Sequence, residues 1–340
     1  MKSWVINILF ATVFIFIGWF ANVAWNLPRD LNPIAEIKPR PFEKYTIENL
    51  SKAEILPSKI ETGEIIKEDP KFSSYEYFMT FDPSSTGGNQ KKVSGMLNIP
   101  KGPGPFPLIV MLRGFVEPET YFTGQGTVRG AEYFARNGFI TIAPDFLGYG
   151  KSDLQPSDVF ESRFQTYTTV LTLLKSLEAI KSGELSNESI NYSSLGLWGH
   201  SNGGQIALTV LEITQKTYPT VLWAPVSKPF PYSIMYYTDS PVDYGKSLRQ
   251  KLAKFEEDYD VDLYSIHKYY DRIKSPIKLN QGMVDPSVPS AWSDELSKTL
   301  EDSGVDIEYS LFHGNDHNMQ PNWASVIQSD LIFFKNHLAN

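Results

Sequence analysis

The chain has 340 residues, 31 basic and 39 acidic, giving a formal net charge of −8, and 41% of it is hydrophobic. That length and apolar content allow one large domain with additions or two smaller ones and exclude a disordered chain, and without a basic cluster interleaved with aromatics no nucleic-acid partner is expected. There is no cysteine, which excludes disulfides, thiolate nucleophiles and Cys-ligated zinc, and no histidine stands in an H-E-x-x-H or similar motif, so neither metal nor cofactor is expected.

Residues 5–24 are apolar apart from Asn7, Thr12 and Asn22, with Trp4, Trp19 and Trp25 near the ends. About 20 apolar residues suffice to cross a bilayer, and tryptophans favour its interfaces. Residues 1–26 therefore read as an N-terminal transmembrane helix, a cleaved signal segment being the competing reading. An anchor of this kind would make the membrane a partner. Lys2 before the segment places the N-terminus in the cytoplasm and the globular part outside, as a single-pass protein. Four prolines in residues 27–41 give an extended linker, and residues 42–70 continue as an irregular lead-in, so 27–72 precede the folded domain, 73–340.

Residues 75–81 and 93–99 read as an antiparallel hairpin. Buried strands follow at 108–112, 139–143, 194–198, 221–224 and 277–280, and an alternating strand at 305–312. Helical spacing separates them at 128–136, 160–180, 202–213 and 323–337. This alternation predicts an α/β fold with a mostly parallel, doubly wound sheet. Residues 227–274 interrupt it with more chain than a crossover needs. They are rich in aromatics, among them Phe230, Tyr236, Tyr237 and Tyr264, and are expected to form a cap insertion over the site.

The strand at 194–198 runs into Gly199-His200-Ser201-Asn202-Gly203, a G-x-S-x-G turn followed by a helix. Such an elbow presents a strained serine at the sheet edge, with Gly199 and Gly203 where strand and helix approach too closely for Cβ atoms. A serine needs a base, and the base an orienting group. His313 and His317 follow the last strand, and His317, deeper in the Gly314-Asn315-Asp316-His317 loop, is the expected base. Asp285, just past the end of the preceding strand, is the expected orienting carboxylate. Asp294 and Glu295 fall on a solvated helix face, and Asp316 is too close to His317 in sequence to reach its ring. For an oxyanion, the backbone N–H of Asn202 and that of Gly114 or Phe115 are the expected donors. Tyr121 offers a less favoured hydroxyl.

Four stretches carry a family resemblance. They are the elbow, Ala143-Pro144-Asp145-Phe146-Leu147-Gly148-Tyr149-Gly150-Lys151-Ser152, Gly282-Met283-Val284-Asp285-Pro286-Ser287-Val288-Pro289, and Gly314-Asn315-Asp316-His317. Together they resemble the α/β-hydrolase superfamily, most closely the catalytic domain of the prolyl oligopeptidase family of serine peptidases. The order Ser201, Asp285, His317 is that of α/β-hydrolases. The resemblance implies an α/β-hydrolase fold and a serine hydrolase working through an acyl-enzyme on a peptide or small-molecule substrate. A prolyl oligopeptidase-like peptidase is favoured, a carboxylesterase on small acyl esters is the alternative, and a catalytically silent binding module is the third reading. Two features depart from the family pattern. Arg113-Gly114 stands where many relatives have His-Gly, and the region before the domain reads as linker and hairpin rather than propeller.

Overall fold

The computed structural model describes residues 3–26, 38–85, 87–182, 190–238 and 243–338. The chain forms two compact units, Met1–Pro41 and Phe42–Asn340.

The first unit holds helix α1, Ser3–Asn26. Among the described residues no helix is long and apolar enough to cross a membrane. This corrects the expected transmembrane helix and, with it, the membrane as a partner. The helix itself forms, but Asn7, Thr12 and Asn22 divide the apolar run. The Thr12 hydroxyl turns back to the Ile8 carbonyl at 2.9 Å, and Asn26 donates to Asn22 Oδ1 at 2.6 Å. The expected linker falls largely on residues 27–37, outside the described residues.

The second unit begins with a short helix α2, Ile47–Lys52, whose first turn is capped by the Thr46 hydroxyl accepting from Asn49 N–H at 3.1 Å. Buried Ile47 and Leu50 pin it to the core. Among the described residues nine strands form one sheet, in the order β1-β2-β3-β5-β4-β6-β7-β8-β9. Their spans are β1 Ile60–Glu68, β2 Phe72–Phe81, β3 Lys91–Pro100, β4 Phe106–Leu112, β5 Ile140–Pro144, β6 Tyr192–His200, β7 Thr220–Trp223, β8 Ile277–Gly282 and β9 Ile307–Phe312. The first three pair antiparallel, as does β3 with β5, and the rest are parallel. Strand β4 is buried from Leu108 to Leu112 because helices cover both faces.

On one face lie α4, Val159–Ser182, and α5, Asn202–Thr214; on the other, α3, Val128–Arg136, and α9, Trp323–Leu338. Among the described residues the unit has three further α-helices: α6, Tyr232–Met235, α7, Lys246–Glu256, and α8, Ser290–Asp302. The aromatic-rich stretch at 227–274 divides in two, and its residues 239–242 lie outside the described ones. Phe230, Phe255, Tyr259 and Tyr264 are core, with Tyr264 stacked on Phe164 of α4 at 5.0 Å and Phe255 against Phe160 at 5.1 Å. Tyr236 packs edge-on against Trp292 of α8 at 4.7 Å, and the Tyr237 hydroxyl donates to the Ser287 carbonyl at 3.2 Å. This second half lies beside the loop that carries Asp285.

The far face contains a buried carboxyl. Asp330 on α9 accepts from Trp223 Nε1 at 2.6 Å and Asn280 Nδ2 at 2.8 Å, tying α9 to two strands. Burial pushes its pKa up to about 7, against the pull of those donors. Between the ordinary carboxylate range and pH 7 the folded chain thus binds a proton that the unfolded chain has lost, so this group's contribution to stability falls as pH rises through that window. Asp330→Asn loses one acceptor but cannot ionise. In thermal melts, the margin by which wild type exceeds this variant is expected to shrink by on the order of 5 °C from pH 5 to pH 8. A constant margin would contradict the assignment.

Candidate active site

Strand β6 delivers Ser201 at φ 56°, ψ −120°, a left-handed backbone that an L residue holds only under constraint. The constraint is close packing. A Cβ on Gly203 would lie 2.0 Å from the Leu112 carbonyl oxygen, and one on Gly199 would lie 2.6 Å from that of Gly203. Hydrogen bonds fix the rest. Ser201 N–H donates to the Trp223 carbonyl at 2.9 Å, and its own carbonyl accepts from Gly204 and Val226 N–H, both at 3.0 Å. Helix α5 starts directly after the serine, so the N–H groups of Asn202 and Gly203 come before its first turn-closing bond, from Gly204 N–H to the Ser201 carbonyl.

Asp285 and His317 come from the loops after β8 and β9. These loops are laced together, Met283 N–H to the Phe312 carbonyl and Val284 N–H to that of Asn315, both at 3.0 Å. His317 Nδ1 lies 2.7 Å from Asp285 Oδ2, and the carboxylate is wholly buried. Its Oδ1 accepts from Ser287 and Val288 N–H at 2.7 and 2.9 Å, and its Oδ2 also from Gln281 Nε2 at 3.2 Å. Burial pushes this carboxyl's pKa up, but the His317 ring and the backbone donors outweigh it and hold the group below the usual range. An ionised carboxylate only accepts, so His317 Nδ1 must donate, and the tautomer this selects for the neutral ring is the one with its lone pair on Nε2. Among the described residues no hydrogen bond joins Ser201 Oγ to His317; such bonds commonly tighten only when substrate is bound.

His200 does more than fill an elbow position. Its Nε2 lies 2.9 Å from the His317 backbone carbonyl, and the two rings are 4.6 Å apart. Burial, with His317 adding to it, pushes its pKa down to about 4, so the ring stays neutral and donates its Nε2–H to that carbonyl. The chain position of His317 beside the elbow is therefore fixed from the elbow itself. Sequence reasoning did not reach this contact, which spans 117 residues.

The other histidines and acids lie elsewhere. His313 is exposed, His267 pairs with Ser265 at 2.8 Å, and His337 with the Phe333 carbonyl at 3.0 Å. Asp316 accepts from the N–H groups of Asn318 and Gln320 in its own loop, and Asp294 from the Tyr309 hydroxyl. Lys228 pairs with Glu295. Among the described residues no group of three or more histidine and acidic side chains could hold a metal ion.

Gly114 packs directly on the serine, since a Cβ there would come within 2.9 Å of Ser201 Cβ. Buried Arg113 donates from Nη1 to the Gly114 carbonyl at 2.9 Å and from Nη2 to the Asp145 carbonyl at 2.8 Å, its guanidinium 3.9 Å from the Tyr149 ring centroid. Because the Gly114–Phe115 peptide is trans, holding its carbonyl this way turns the Phe115 N–H to the opposite side. The Tyr121 hydroxyl is committed to Asp145 Oδ1 at 2.7 Å. A cavity of about 390 Å³ opens beside Phe115 and Asn202 and runs along α4.

The model of the prolyl oligopeptidase family matches residues 129–340. The chain belongs to the prolyl oligopeptidase family. Ser201, Asp285 and His317 lie inside the matched stretch; Gly114 and Phe115 precede it. No curated protein matches the chain. Among solved structures it is similar to a puromycin-hydrolysing peptidase of Mycobacterium tuberculosis, at 17% identity and a TM-score of 0.53 over 83% of this chain. The chain spans only 40% of that peptidase. It is also similar to an acetyl xylan esterase from Paenibacillus sp. R4, at 17% identity, a TM-score of 0.60 and coverage of 84% of this chain and 91% of that one. Acetyl xylan esterase 1 from Thermoanaerobacterium sp. JW/SL YS485 is similar at 14% identity and 0.55, over 87% and 94% of the two chains. These likenesses share the α/β-hydrolase fold with this chain, and as a member of the prolyl oligopeptidase family it is a serine hydrolase.

Proposed function

We propose that this serine hydrolase cleaves the acyl bond of a short peptide through Ser201, His317 and Asp285. Ser201 Oγ attacks the scissile carbonyl while His317 Nε2 takes the hydroxyl proton, and Asp285 steadies the imidazolium that forms. The oxyanion is held by the N–H groups of Asn202 and Phe115. Collapse expels the amine, which leaves with the proton from His317, and the acyl group stays on Ser201. Water then attacks the ester, giving its proton to His317, and the carboxylic acid departs as Ser201 regains its hydrogen. The observation that carries this reading is the 2.7 Å pair between His317 Nδ1 and a buried Asp285, on a loop tied to the elbow by His200.

A second reading is a carboxylesterase on small acyl esters. It is supported by the alignment over 91% of an acetyl xylan esterase chain at a TM-score of 0.60. The same acyl-enzyme chemistry serves both. The full chain assayed on prolyl amides and on short acyl esters separates them. Turnover of a prolyl amide is the expected result; turnover of acyl esters alone replaces the peptidase reading by the esterase one, and turnover of neither overturns both.

A further inference from the structure

The cavity beside Ser201 carries an unusual charge balance. Its lining includes Arg113 and Arg163 together with neutral polar side chains such as Gln155, Ser162 and Thr166, and no carboxylate among the described residues. The two arginines differ in how they are used. Arg113 is buried and spends its donors on two backbone carbonyls. Arg163, on α4, is partly buried and donates from Nη1 to Asn202 Oδ1 at 3.2 Å and from Nη2 to Gln205 Oε1.

Both acceptors of Arg163 are neutral amides, and among the described residues it forms no ion pair. A guanidinium has five N–H donors in a planar fork. Two are engaged here, and the buried Nε has no partner. A full positive charge held by amides at the wall of a cavity is the setting in which a carboxylate gains most, because it supplies both the counter-charge and the missing acceptors.

The position of the cavity says which part of a substrate would enter it. Phe115 and Asn202, the proposed oxyanion donors, line it; the loops bearing Asp285 and His317 do not. The leaving group must lie against His317 to receive its proton, so the cavity on the other side of the carbonyl takes the acyl group. We propose that Arg163 selects substrates whose acyl group carries a carboxylate, such as an acidic residue on the acyl side of the scissile bond or a half-ester of a dicarboxylic acid. This inference rests on the reading of Ser201 as nucleophile.

The test compares the p-nitrophenyl monoester of adipic acid with p-nitrophenyl hexanoate, which differ by a carboxylate at the end of equal carbon chains. The wild-type chain is expected to favour the charged ester in kcat/KM by about 10-fold or more. Arg163→Gln is expected to lower that ratio about 10- to 100-fold, chiefly through KM for the charged ester, while Arg163→Lys keeps the larger part of it. A ratio unchanged in Arg163→Gln overturns the proposal, as does one that Arg163→Lys fails to hold. Should Arg163→Gln not fold, a wild-type preference for the hexanoate overturns it without any variant. Labelling of the wild-type chain by a fluorophosphonate is read in parallel. Its absence would overturn the nucleophile reading, whereas labelling with an Arg163-independent ratio overturns the carboxylate proposal alone.

Discussion

Ser201→Ala is expected to lower kcat/KM by about 10⁵-fold or more on whichever substrate the wild type turns over. The hydroxyl oxygen is the atom that bonds to the acyl group, so its removal deletes the acyl-enzyme route outright. What remains is positioning and oxyanion binding, worth about 10³- to 10⁴-fold over water. The substitution removes one oxygen from a residue whose backbone is held by Trp223, Gly204 and Val226, so melting temperature and circular dichroism should change little. A variant that melts as wild type does and keeps more than a hundredth of its activity would show that another group is the nucleophile. The Gly199 and Gly203 contacts explain why the expected loss is one of chemistry and not of fold, since they act on the main chain.

Asp285→Asn is the second large effect, expected at about 10⁴-fold in kcat. The reason lies in which oxygen holds what. Oδ1 accepts two backbone N–H groups, from Ser287 and Val288, so an asparagine keeps its carbonyl oxygen there and turns its NH₂ toward His317. That NH₂ donates, so the ring must present Nδ1 as acceptor and carry its proton on Nε2, facing the serine in the wrong tautomer. Gln281 Nε2 then meets a second donor, which adds a small loss of stability. Kinetics of the variant alongside a thermal melt separate the two effects. A loss under tenfold would show that Asp285 does not set the tautomer of the base.

How much of this was legible in the sequence depends on where the information sits. Strand β4 announced itself as an unbroken apolar run and β5 as one interrupted only by Thr141, because a parallel strand covered on both faces needs no alternation. Strand β1 did not. It is exposed at every position after Ile60, so neither periodicity nor an apolar run marked it within what reads as an irregular lead-in. The aromatic stretch at 227–274 was visible as a feature, but its division into core and site-facing halves was not, since tyrosines and phenylalanines serve both. The N-terminal segment was legible as a helix and misread as a span, the polar residues within it being discounted.

The same divide runs through the site. Ser201 stands in a local pattern of five residues, and Asp285 and His317 stand at strand ends, so chain order and strand boundaries suffice to nominate them. His200 and Arg163 act through contacts 117 and 39 residues away, which no local pattern encodes. The one available signal was a histidine adjoining the nucleophile. That Arg113 holds the Gly114 carbonyl, on which the proposed choice of Phe115 N–H as oxyanion donor rests, is likewise a contact that no local pattern encodes.

The central claim is that Ser201 is the reactive nucleophile, and mass spectrometry of the full chain after exposure to a fluorophosphonate tests it most directly. One adduct per chain is predicted, on the peptide containing Ser201, absent when that serine is alanine. An adduct on a different residue, or a folded chain that takes up none, would contradict it.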